Sequence, residues 1–149
     1  MAWSNWQRFL GTNPADKCNG GGVYKIRATS DDGQPKEIPR ACADDPEGIL
    51  YIGQGALRTR IGHLAWLSED PPKAYHGFVG TFLNYKLDRI CSHACLEVSW
   101  LECDDPVAVE SRLLEEYKMR TGDLPPGNLK VEGRPGELHA DPTEPLVDQ

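Results

Sequence analysis

No stretch of this 149-residue chain is apolar for long enough to span a bilayer. The amino terminus, MAWSNWQRFLGTNPADKCNGGG, also lacks a basic start followed by an apolar run, so no secretory leader is expected. Both absences predict a soluble, cytoplasmic protein. Basic residues are in deficit: 16 Lys and Arg stand against 23 Asp and Glu, a net charge of -7. That balance excludes a protein that coats nucleic acid through bulk electrostatics, because such binding neutralises many phosphates with many cations, but it leaves room for a local basic patch. Cysteine is sparse and odd in number, with Cys18, Cys42, Cys91, Cys95 and Cys103 at irregular spacing. Reduced thiols, rather than a disulfide framework, follow. Cys91, His93, Cys95 and Cys103 are all zinc-ligand types. The residues after Cys95 read as a strand that carries Cys103 away, so small buried thiols and a surface histidine are the favoured reading.

What is present fits one globular domain: 39% hydrophobic and 26% charged residues suffice for a core of ordinary size. Trp3, Trp6, Phe9 and Leu10 have near-helical spacing and predict a short amphipathic helix, so residues 1–19 are expected to be a helical extension. GGGVYKIRA predicts a strand entered through a flexible turn, and ILYIG a second strand. The polar segment between them predicts an antiparallel hairpin with a long loop. ALRTRIGHLAWL spaces Leu57, Ile61, Leu64 and Ala65 along one helix face, weakened at Gly62 and ended by Pro71 and Pro72. KAYHGFVGTFLNYKLDRI predicts a second helix and CLEVSWLEC a third strand. DDPVAVESRLLEEYKMRTG then begins with an acidic cap and a proline and stops at Gly122. Residues 131–149 are rich in Pro, Gly and acid, and predict a disordered tail. The expected fold is α+β, a three-stranded antiparallel sheet flanked by helices, over residues 20–130.

The segment GILYIGQGALRTRIGHL concentrates chemistry. Strand-forming residues and a tight Gly-Gln-Gly turn run directly into Arg58, Arg60 and His63, which points to an anion site beside a group that titrates. The alternative reading is a solvated helix face.

In the same region the chain resembles the GIY-YIG nuclease superfamily. GVY at Gly22, Val23 and Tyr24 matches the first half of that motif, and YIG at Tyr51, Ile52 and Gly53 the second. Arg60 resembles the family's arginine, VESRLLEEY its glutamate helix with Glu110, and LPPGN its closing asparagine with Asn128. His63 stands one position earlier after the arginine than in the family pattern, and both spacings keep the two side chains on one helix face. The interval between Tyr24 and Tyr51 is longer than the compact family pattern. It contains Asp31, Asp32, Glu37, Asp44, Asp45 and Glu47 around Lys36 and Arg40, an acidic insertion expected to repel extended phosphate backbones.

The resemblance implies a metal-dependent endonuclease acting on nucleic acid, DNA in the first instance. Tyr24, Tyr51, Arg60, Glu110 and His63 would be catalytic, and Arg58, Lys25 and Asn128 would contact substrate, with Asn128 fixing the backbone near the site. Glu110 would hold one Mg2+ or Mn2+, an ion that one carboxylate can bind while several waters remain on it. Tyrosine ordinarily has a pKa of about 10, so as a base it needs a nearby cation. A planar guanidinium suits a phosphate clamp better than an ammonium. A partner protein or self-association would supply further reading surface. The competing expectations are a binding or interaction module on the same scaffold and a small-substrate hydrolase using the same residues.

Overall fold

The computed structural model describes residues 2–69 and 77–128. Four strands, β1 (Gln7–Arg8), β2 (Gly21–Ala28), β3 (Ile49–Ala56) and β4 (Leu96–Glu102), form one antiparallel sheet in the order β1-β4-β2-β3. Among the described residues three α-helices accompany it: α1 (Leu57–Gly62), α2 (Gly77–Asn84) and α3 (Pro106–Thr121). The fold is α+β, and the long-loop hairpin joins β2 to β3 as the sequence predicts.

The fourth strand replaces the expected amino-terminal helix. Residues 2–6 run without helix, Gln7 and Arg8 pair with Val98 and Glu97, and the Ser4 amide donates to the Trp100 carbonyl at 2.8 Å. The physical reason is tertiary. The outer edge of β4 offers backbone groups that an extended segment can satisfy. The Lys25 ammonium and the Arg27 guanidinium each lie 4.3 Å from a tryptophan ring centre, over Trp3 and Trp6 respectively. The aromatic spacing thus serves contacts across the sheet instead of a helical stripe.

Alternation along the strands divides the core into two layers. Tyr24, Ile26, Val98 and Trp100 face Leu57, Ile61, Leu64, Phe78 and Phe82 in the larger one. On the other face Ile49 and Ile52 pack with Tyr117, Leu113, Leu114 and Trp6. A register shift between Ile26 and Arg27 leaves Leu50 as an extra residue in β3, and this bulge brings both Leu50 and Tyr51 into the larger layer.

Helix ends follow local chemistry. α1 gives way after Gly62 to a tighter 3-10 segment, His63–Ser68. Asp105 caps α3 by accepting from the Ala108 amide at 3.3 Å, Pro106 opens it, and Gly122 closes it with φ 80°. The stop expected at Pro71 and Pro72, the first residues of the expected second helix, and the acidic tail lie outside the described residues.

The acidic insertion is docked. Asp45 is fully buried and accepts from the Glu47 amide, the Ile49 amide and the Tyr117 hydroxyl, each at 2.9 Å. Arg40 pairs with Asp123 at 2.9 Å, and Arg120 with Glu47 at 3.2 Å, tying the loop to the end of α3. The five cysteines are free thiols, Cys18 and Cys91 buried.

Candidate active site

β3 is the outer strand of the sheet, and its free edge is treated differently along its length. At Leu50 to Ile52 it is closed by the chain after α3. The Gly127 amide donates to the Leu50 carbonyl at 2.6 Å. Asn128 accepts from the Ile52 amide at 2.9 Å and donates to the Ile52 carbonyl at 2.8 Å. Its side chain thus takes the place of a neighbouring strand. A cleft of about 360 Å³ reaches past that closure to Gln54, lined by Tyr24, Tyr51, Gln54, Arg60, His63, Leu64, Gly77, Phe78, Val79 and Glu110.

All five candidates for chemistry, Tyr24, Tyr51, Arg60, His63 and Glu110, line this one cleft. Tyr24 lies opposite Gly53 and Tyr51 opposite Ile26, so the two rings are diagonal neighbours, with centres 5.9 Å apart. Phe78 of α2 backs Tyr51 at 5.3 Å. His63 stacks on Trp66 at 4.2 Å. Glu110 comes from the opposite layer. It sits one turn before Leu113 and Leu114, which pack in one cluster with Ile49 and Ile52, and it lines the same cleft as Gln54.

Two glycines make the arrangement sterically feasible. A Cβ at Gly53 would stand 2.6 Å from the Tyr24 hydroxyl and from Cε2 of Tyr51. A Cβ at Gly55, whose φ is 137°, would stand 2.8 Å from Nε of Arg60. In the Gly53-Gln54-Gly55 sequence, alternation strips one face of the strand for a tyrosine and an arginine to lie across, and turns Gln54 to the other. The tight turn expected at Gly53-Gln54-Gly55 is instead strand, because all three residues pair along β2 with Tyr24, Val23 and Gly22, and neither the glycines' role nor Gln54 is evident from the sequence. The usable signal was the period of two.

The Tyr24 hydroxyl is pushed well above the ordinary tyrosine range, first by burial and then by Tyr51, with Arg60 opposing and Glu110 adding to the rise. At neutral pH it holds its proton.

The three expected substrate contacts lie elsewhere. Lys25 follows Tyr24 directly, so it points to the opposite face, where its ammonium covers Trp3; burial lowers its pKa. Arg58 donates through Nε to the Cys18 carbonyl at 3.4 Å. Asn128 is buried against the Ile52 backbone, the fixing role expected of it.

Glu110 is the one carboxylate among the described residues lining the cleft. Among the described residues no group of three or more His, Cys, Asp or Glu is placed to hold an ion. A single carboxylate at an open cleft fits a cation such as Mg2+, which keeps most of its waters and draws further ligands from phosphate. No protein-family model, curated protein or solved structure matches the chain. Among the described residues no helix is long and apolar enough to cross a membrane.

Proposed function

We propose that this cleft is the active site of a metal-dependent endonuclease of the GIY-YIG type, hydrolysing DNA phosphodiester bonds. The observation that carries the reading is the convergence of Tyr24, Tyr51, Arg60, His63 and Glu110, drawn from two strands and three helical segments, on one cleft. Hydrolysis requires an oriented water, positive charge at the phosphoryl oxygens and relief of charge on the leaving oxygen.

Arg60 clamps two phosphoryl oxygens through its guanidinium. The Tyr24 and Tyr51 hydroxyls bracket the attacking water on the same side of the sheet. Since burial keeps Tyr24 protonated, its phenolate is a minor species near neutrality; Arg60 is the cation beside it that favours this form. His63 supplies an imidazole on the same cleft wall. Glu110 would hold a divalent ion, which when bound would supply positive charge to offset the negative charge developing in the reaction.

A small phosphodiester is the second reading. It is favoured by the net charge of -7, which repels a long phosphate backbone. The test is incubation with supercoiled plasmid, single-stranded DNA, branched DNA and bis(p-nitrophenyl) phosphate, each in Mg2+, Mn2+ and EDTA. Metal-dependent cleavage of a DNA supports the nuclease, cleavage of the small diester alone supports the second reading, and cleavage of none refutes both.

A further inference from the structure

Gln54 lines the cleft beside the five proposed catalytic side chains. It is half-buried, and among the described residues its carboxamide has no hydrogen-bond partner. Gln54 pairs with Val23, which places it on the sheet face opposite Tyr24 and Tyr51. That face is covered by α3, which runs antiparallel to β3. Tyr117, near the end of α3, and the Ile49 amide, at the start of β3, both donate to Asp45, and at the far end Pro106 approaches Gly21, the partner of Ala56. Glu110 and Gln54 are therefore neighbours in one layer, and the tyrosines and Arg60 occupy the other.

An in-line displacement at phosphorus places the attacking and leaving oxygens on opposite sides of the phosphate. With the water held by the tyrosines on one side, the leaving oxygen falls on the side of Glu110 and Gln54. We propose that the Gln54 carboxamide donates a hydrogen bond to the leaving oxygen, an assignment that rests on the hydrolase reading above. In the step, the water oxygen forms a bond to phosphorus as the bond to the leaving oxygen breaks. One water proton goes to the phenolate oxygen of Tyr24, the minor form that Arg60 favours, and the leaving oxygen, carrying the bond's electron pair, takes a proton from solvent water. An uncharged donor suits this position: it stabilises the developing charge without competing with a cation for Glu110.

The test compares two oligodeoxynucleotides, one with its natural scissile linkage and one with sulfur in place of the leaving oxygen. A thiolate leaves with little need of a hydrogen bond. Gln54→Met keeps the length of the side chain and removes its donor. It is expected to slow cleavage of the natural linkage about tenfold or more, to leave the sulfur linkage within about twofold of wild type, and to leave oligonucleotide binding in EDTA unchanged. Gln54→Glu, a carboxylate facing the departing oxygen, should be slower still on the natural linkage. Equal slowing of both linkages, or none on either, overturns the assignment and leaves the hydrolase reading intact. A wild-type protein that cleaves neither linkage in any metal overturns both.

Discussion

Gly53 lies directly across the β2–β3 ladder from Tyr24, and a methyl group on Gly53 would stand 2.6 Å from both Cζ and the hydroxyl of Tyr24. The smallest possible side chain at this position therefore displaces the proposed catalytic ring. Gly53→Ala should cost about 1–3 kcal/mol through overpacking and lower cleavage at least tenfold. Denaturant melts and turnover on the same samples check this. A variant with wild-type turnover would show that Tyr24 need not hold its present position.

Asn128 satisfies both backbone groups of Ile52. Asn128→Ala leaves the Ile52 amide and carbonyl without their partner at a buried site, a loss of about 1–3 kcal/mol. Asn128→Asp retains the acceptor but sets a carboxylate oxygen against the Ile52 carbonyl, so it should not rescue stability. Urea midpoints of the two variants decide this, and full stability in the aspartate variant would contradict the clamp.

The Tyr117 hydroxyl is the one side-chain donor to buried Asp45 among the described residues, alongside two backbone amides. Tyr117→Phe should cost about 1.5–3 kcal/mol, the range for hydrogen bonds to charged groups. It should also loosen the acidic loop from α3, read as faster amide hydrogen exchange at Glu47 and Ile49. Unchanged exchange there would show that the two backbone bonds alone hold Asp45.

Burial pushes the thiols of Cys18 and Cys91 from 9.0 up to about 11. It also raises the hydroxyls of Tyr24 and Tyr117 above the usual 10.0, with Tyr51 and Asp45 as further causes. These groups ionise at lower pH in the unfolded chain than in the folded one. In that window the unfolded state binds fewer protons, and rising pH favours it. Their contribution is complete below about pH 9 and is lost as pH climbs through 11. Lys25 acts in the opposite sense, since burial lowers its pKa and its contribution improves as pH rises toward 10.5. With four groups against one, stability should fall between about pH 8 and about pH 10.5 and fall less in Tyr117→Phe, relative to that variant's own stability at about pH 8. Urea midpoints that stay level over this interval would contradict the burial of these protons.

Much of this architecture was legible in the sequence where local chemistry and tertiary structure agree. Asp105, Pro106 and Gly122 bound α3 as capping rules require, and the glycine turn and alternating apolar residues of β2 and β4 gave strands in place. The first ten residues mislead because Trp3, Trp6 and Phe9 repeat at a helical interval, while Lys25 and Arg27 over the two tryptophans, the core around Phe9 and the open edge of β4 are supplied only by the folded sheet. Lys25 could have been assigned to the far face from its adjacency to Tyr24 alone, since neighbours on a strand point apart. Gln54 was hidden for a different reason: an amide between two glycines has no motif value until α3 is seen to cover that face.

The most direct measurement of the proposed chemistry pairs two variants in two assays. Glu110→Gln removes the carboxylate proposed to hold the ion, together with a negative charge near the phosphate, whereas Arg60→Ala removes an attractive contact. Oligonucleotide binding is measured in EDTA and cleavage in Mg2+, on variants that melt cooperatively. Both variants should lose cleavage, with binding unchanged or tighter in Glu110→Gln and weaker in Arg60→Ala. Retention of wild-type cleavage by Glu110→Gln, or equal loss of binding in both variants, would contradict a metal and phosphate site built on these two residues.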